Sequence, residues 1–243
     1  MVSHQEGSCA RRARCSSTSA GRERQSERSE ASTTTTSASS FLELRHASTD
    51  HAIFVVVPER SFLAIDGVGE PSASDFHLAT SALRTAVDIL GRRLRQARLA
   101  TATRAGVVEC AWSPPRPLPP AALPAAFEDR SKWHWCQLIE LPAQATEAHA
   151  LAAIDEARRG AGRDVALVRR LAFTEGSAAQ LLHVGPRSSE AVTVRKLFQA
   201  IAEAGLQPDG RLHTLTLADP DVAPHGLGRS IVRQPVAGSR AMV

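Results

Sequence analysis

Short apolar runs of strand length and longer stretches with apolar residues every three or four positions alternate along this chain, a pattern that predicts a mixed α and β protein. Ile53 to Val57 and Ser61 to Gly67 are runs of the first kind, the second closing on an Asp66-Gly67 turn signal. Ser74 or Asp75 then caps a helix whose apolar positions Phe76, Ala79, Leu83, Val87, Leu90 and Leu94 lie three or four apart. Half-buried strands follow at about Ala105 to Trp112 and Trp133 to Leu141. The Pro-rich run Ser113 to Pro124 between them reads as a loop, because proline has no N–H to give a sheet ladder. A second helix runs from a Thr146 cap through Leu151 and Ile154 to Arg159, and Gly160 and Gly162 end it. Strands at about Ala166 to Phe173 and Ala178 to Val184 flank Thr174-Glu175-Gly176, which reads as a hairpin turn. The third helix starts near Ser189, buries Val192, Leu197, Phe198 and Ile201, and stops at Gly205. Strands Leu212 to Leu217 and Ser230 to Val236 complete the set.

Two pieces of the chain echo each other. Phe62 to Gly67 leads through a turn into a helix and two strands, and Gln180 to Gly185 does the same about 118 residues later. One helix cannot cover the apolar face of such a unit, so two units that share a core form a sensible fold. The expected fold class is α+β, with duplicated strand-helix-strand-strand modules forming an antiparallel sheet, helices packed on one face and a ligand groove at the seam. Residues 1–50 are rich in Ser, Arg and Thr, with almost no large apolar residue before Phe41, and cannot bury enough surface to offset the entropy of ordering. They are read as a disordered tail, residues 51–237 as the folded domain and residues 238–243 as a flexible C-terminus.

Composition narrows the function classes. The 29 basic and 25 acidic residues are spread evenly, which is no footprint for nucleic acid. No stretch is long enough to span a membrane, and the N-terminus lacks the apolar core of a signal peptide, so a cytoplasmic protein is the expectation. Cys9, Cys15, Cys110 and Cys136 show no metal-ligand spacing, and Cys110 and Cys136 read as buried, inert thiols. Neither a metal nor a cofactor is expected. The chain has no Tyr and no Asn, so any aromatic wall must come from three Trp and seven Phe.

The order of the motifs supplies a resemblance. Phe62-Leu63-Ala64-Ile65-Asp66-Gly67, the helix after it, Val108-Glu109-Cys110-Ala111-Trp112, Lys132-Trp133-His134-Trp135, the His183-Val184-Gly185-Pro186 turn and the Asp219-Pro220 turn together resemble the GyrI-like small-molecule-binding domain. The likeness covers roughly residues 53–236. It implies a duplicated strand-helix-strand-strand fold, found in effector domains of multidrug-sensing regulators and in stand-alone proteins, some of which hydrolyse the strained cyclopropane of DNA-alkylating natural products. Two positions depart from the family pattern: Thr214 stands where a pocket glutamate is common, and Arg187 where an aromatic often follows Gly-Pro.

Glu109, an acid among apolar neighbours, is the candidate general base; the alternative is an ordinary solvent-facing strand glutamate. Strict alternation puts Glu109 and Trp112 on opposite faces of their strand. Trp133 and Trp135 share a face that Trp112 can join from a paired strand, as a stacking wall or as a plain core cluster. His183, Arg187 and Thr214 complete the candidate ligand-binding set, with a structural role the commoner one for such a histidine. The favoured reading is a stand-alone protein that binds a hydrophobic or aromatic small molecule in a Trp-lined pocket. A hydrolase using Glu109 and a protein-interaction partner stand as alternatives, and whether the chain is an enzyme, like its oligomeric state, stays open.

Overall fold

The apolar runs at Ile53 and Ser61 join into one strand of 16 residues, β1 (Ile53–Val68), in the computed structural model, which describes residues 43–99, 106–160, 167–219, 223 and 227–238. The runs flanking Thr174-Glu175-Gly176 likewise belong to one strand, β4 (Arg169–Val184), so the expected hairpin there does not form. The two long strands satisfy each other. Their antiparallel register runs from Ile53↔Gln180 to Ala64↔Arg169, and backbone that looks like a break in isolation is held by its partner. Pro58 falls at the step between Val57↔Gly176 and Glu59↔Thr174, where its missing N–H breaks no registered pair. Gly176 takes a φ of 75°, which L side chains rarely adopt.

The remaining elements are α1 (Ser74–Gln96), β2 (Val108–Ser113), α2 (Leu123–Ala126), β3 (His134–Glu140), α3 (Glu147–Gly160), α4 (Glu190–Glu203), β5 (Leu206–Pro208), β6 (Leu212–Ala218) and β7 (Arg229–Gly238). The strands pair in the order β4-β1-β3-β2-β6-β7-β5, and a further β4–β7 pairing closes six of them into an antiparallel, barrel-like ring. The fold is α+β, as expected. One sheet face, with Leu63, Ile65, Trp112, Trp135, Ile139, Leu181 and Val232, packs against the apolar stripes of α1, α3 and α4 in the main core. Phe62, Ala64, Ala111, Cys136 and Leu138 form a second cluster, on the face that looks into the ring.

Local details differ from the pattern reading where tertiary contacts intervene. The expected positions of α1 are buried, but its N-cap is Ala73, with no side-chain hydrogen bond. In α3 the Thr146 hydroxyl does accept the His149 N–H. The Pro-rich run contains a 3-10 turn at Pro120–Ala122 and the short α2, both with proline near the first position, where a missing N–H costs nothing. In α4, Val192 is outward-facing and Val194 takes the buried place. The Asp66-Gly67 signal lies inside β1, where Gly67 is paired with Trp135.

Most of the expected tail, and the last five residues, lie outside the described residues. Residues 43–50 do not: Leu44 is buried against Val55, Val57 and Ala178. Among the described residues no helix is long and apolar enough to cross a membrane.

Candidate functional site

Polar side chains accumulate on the inner face of the ring, where burial without partners would be costly. Glu109 of β2 and His213 of β6 arrive there through strand register: Glu109 pairs with Leu215 and Ala111 with His213, which makes Glu109 and His213 diagonal neighbours on one face. His213 Nδ1 lies 2.5 Å from Glu109 Oε1. Arg60 Nη2, from β1, is 3.3 Å from Glu109 Oε1 and 3.1 Å from Oε2. The same guanidinium donates to Glu175 Oε1 and reaches Glu140 at 3.5 Å. From β7, Arg233 Nη1 donates to Glu175 Oε1 at 3.3 Å, Nε to Gln180 Oε1 at 2.8 Å and Nη2 to the Leu44 carbonyl at 2.5 Å.

Charge state follows from this arrangement. Burial on its own would raise the Glu109 value. The hydrogen bond and charge of His213, and then Arg60 and Arg233, outweigh it and hold the carboxyl below its ordinary 4.5. Burial likewise opposes ionisation of Arg60, but Glu109, Glu175 and Glu140 more than offset it and raise its value. Glu175 Oε2 is buried, has no hydrogen-bond partner, and lies 4.0 Å from His213 Nδ1.

Beside this network opens a cleft of about 460 Å³, within the size range of small-molecule sites. Leu138, Leu171, Phe173 and Cys136 give it an apolar wall, Glu175 and His213 supply polar atoms, and Asp209, Arg169 and Arg211 also line it. Phe173 stacks on Phe62 with ring centroids 5.1 Å apart and lies 6.0 Å from the His213 ring.

The structure brings Glu109 to this polar network and the other sequence candidates elsewhere. Glu109 is not solvent-facing; it is 3 % exposed. Unbroken alternation in β2 sends Trp112 to the opposite face, as its spacing of three from Glu109 requires. Trp112, Trp133 and Trp135 join one buried cluster with Phe76 and Phe127 between sheet and helices. Thr214 is on that face too, its hydroxyl accepting the Trp112 Nε1–H at 2.9 Å. His183 bonds Thr193 Oγ1 at 2.9 Å and the Pro186 carbonyl at 3.1 Å, a satisfied histidine. Arg187 pairs with Asp219 at 2.9 Å, away from the cleft lining.

His213, Glu175, Arg60 and Arg233 were not legible as site residues. Glu175 hides in an apparent turn, and His213 shows only as the strand neighbour of Thr214, one residue from the expected position and on the other face. Among the described residues, Glu109, Glu175 and His213 are the group whose ligand atoms lie close enough, within 4.8 Å, for a metal ion. Arg60 and Arg233 already neutralise those carboxylates, and a divalent cation would sit against both guanidiniums, so the donor set does not fit one.

Among solved structures the chain is similar to an uncharacterized conserved protein from Listeria innocua, at 24 % identity and a TM-score of 0.70, over 81 % of this chain and 97 % of that one. It is similar to a hydrolase from Listeria innocua at 25 % identity and a TM-score of 0.65, over 81 % and 96 % of the two chains. A hydrolase encoded by lin2189 from the same organism gives 25 % identity and a TM-score of 0.64, over 80 % and 96 %. No protein-family model and no curated protein matches the chain.

Proposed function

We propose that this chain, which has a GyrI-like fold, binds a hydrophobic or aromatic small molecule in the cleft walled by Leu138, Leu171 and Phe173. The observation that carries the proposal is the pairing of an apolar wall with a few fixed polar atoms, from His213 and Glu175, in a cavity of ligand size. The aromatic wall is Phe173, backed by Phe62 stacked on it, and the tryptophans pack on the opposite, helix-covered face of the sheet. In this proposal the strand-helix-strand-strand echo of the sequence is a duplication, the cleft is the groove at its seam, and the protein works in the cytoplasm, for instance in drug resistance by sequestration.

Titration with anilinonaphthalene sulfonate tests it. Saturable fluorescence enhancement is expected, lost when Leu171→Trp fills the cleft; enhancement that Leu171→Trp leaves unchanged would place binding elsewhere.

A second reading is hydrolysis, including the opening of a strained cyclopropane in a DNA-alkylating natural product, as the family resemblance implies. It is favoured by an ionised Glu109 that accepts a hydrogen bond from His213 beside the cleft, and by the two Listeria innocua hydrolases of similar fold. Incubation in ¹⁸O-labelled water should then put the label into a product. Equal turnover by Glu109→Gln would remove Glu109 from the mechanism.

A further inference from the structure

The cleft reaches His213 and Glu175, and it does not reach Glu109. Glu109 lies beyond the imidazole, beside a void of about 10 Å³ that it shares with Leu44, Arg45, Arg60, Val107, Glu140, Leu215 and Arg233. Such a void is about one water in size, too small for any organic ligand. The carboxylate is acceptor-only, so the proton in the 2.5 Å contact belongs to His213 Nδ1. In a neutral imidazole the lone pair then resides on Nε2, and among the described residues no hydrogen-bond partner of Nε2 is found. His213 lines the cleft and Glu109 does not, so with Nδ1 engaged by Glu109 the nitrogen that His213 can offer to a molecule there is Nε2.

We propose that His213, through Nε2, is the general base that meets the molecule in the cleft, and that Glu109 is a positioning residue which holds the imidazole in the Nδ1–H tautomer. The proposal rests on the hydrolase reading above. In the step it implies, Nε2 takes a proton from a water and the water oxygen bonds to the electrophilic carbon of the substrate. The bond from that carbon to the leaving atom breaks, and the proton passes from Nε2 to the leaving atom. Water is the one co-reactant. Glu109 accepts the hydrogen bond throughout and stabilises the imidazolium formed midway. The charged groups around the ring are Glu109 from β2, Arg60 from β1, Glu140 from β3, Glu175 from β4 and Arg233 from β7, with Arg45 before β1 and, lining the cleft, Arg169, Asp209 and Arg211. Arg60 holds Glu109, and Arg60 and Arg233 hold Glu175 through Oε1, so both carboxylates beside the imidazole are fixed in place.

Long-range ¹H–¹⁵N spectra of the full chain labelled at histidine test the assignment, with His213→Gln identifying the signal. The expected result is the Nδ1–H tautomer, which Glu109→Gln converts to a mixture with the Nε2–H form, since an amide can donate to Nδ1 as well as accept from it. An Nε2–H tautomer in the parent, or a tautomer ratio that Glu109→Gln leaves unchanged, overturns it. Should Glu109→Gln unfold the protein, Glu109→Asp, which withdraws the carboxylate by one methylene, decides in the same way. Hydrolysis of 4-nitrophenyl acetate separates this inference from the reading beneath it: a rate that falls about tenfold or more in His213→Gln supports both. No rate above buffer, with the tautomer intact, overturns the role of His213 as a base and leaves it an acceptor for ligand hydrogen bonds.

Discussion

His213 Nδ1 lies 2.5 Å from Glu109 Oε1 although 104 positions separate the two residues. The pairing of β2 with β6 sets this contact, and a slip of one residue would send His213 to the helices and Thr214 to Glu109. Because Arg60 and Arg233 close the network, the group is a balanced set of buried charges whose members depend on one another.

That dependence sets the acid response. The folded value of Glu109 is below its ordinary 4.5, so the folded state binds fewer protons there than the unfolded chain. Its contribution is complete above pH 4.5 and is lost as pH falls through the folded value. Urea midpoints measured against pH should therefore drop below that point in the parent and drop less in Glu109→Gln. Parallel profiles would contradict the ionised, paired state. At neutral pH Glu109→Ala should cost about 3 kcal/mol, by leaving part of a buried cation uncompensated.

Thr214→Val removes the acceptor of the buried Trp112 Nε1–H and should cost about 1–3 kcal/mol of stability, most of it recovered by Thr214→Ser. Anilinonaphthalene sulfonate binding should be unchanged, because Thr214 faces the helices. Loss of dye binding in a variant that stays folded would move the binding site to the tryptophan side of the sheet.

A Cβ added at Gly67 would lie 2.2 Å from Cη2 and Cζ2 of Trp135, whose ring is packed edge-on to Phe76. Gly67→Ala should thus lower the melting temperature, by a cost of about 1–3 kcal/mol for overpacking. A melting temperature equal to that of the parent would mean that Trp135 has room to move.

Cys136 lines the cleft and is 1 % exposed, and burial first, then the Asp66 carboxylate, push its thiol up to about 12. Cys110 is pushed up as well, chiefly by burial. With Cys9 and Cys15 replaced by Ser, the protein should give almost no reaction with Ellman's reagent at mildly alkaline pH until urea unfolds it. Rapid labelling of one thiol in the native state would show that the cleft activates Cys136.

Arg233 and Gln180 anchor the segment before β1: Arg233 donates to the Leu44 carbonyl, and Gln180 Nε2 to the carbonyls of Glu43 and His46 at 3.1 and 2.6 Å. Arg233→Met should release this segment, and limited trypsin digestion should then cut at Arg45 several-fold faster than in the parent. Equal rates would show that Leu44 packing alone retains it.

The apolar periodicity determined much by itself. The buried stripe of α1, the cap of α3, the strands β2, β3, β6 and β7, the α+β class and the opposite faces of Glu109 and Trp112 all follow from local spacing, because a helix or strand repeats its faces whatever it packs against. The buried place of Cys110 and Cys136 was legible too. What local spacing cannot carry is pairing. Pro58 and the Thr174-Glu175-Gly176 signal look like breaks, yet each long strand supplies the hydrogen bonds that its partner needs, and β1 and β4 run through them. Only the closed ring decides that Glu175 points inward and that His213, and not Thr214, meets Glu109. It decides also that the tryptophans belong to the helix-covered face, because register over a hundred residues sets which side chains share a dry interior.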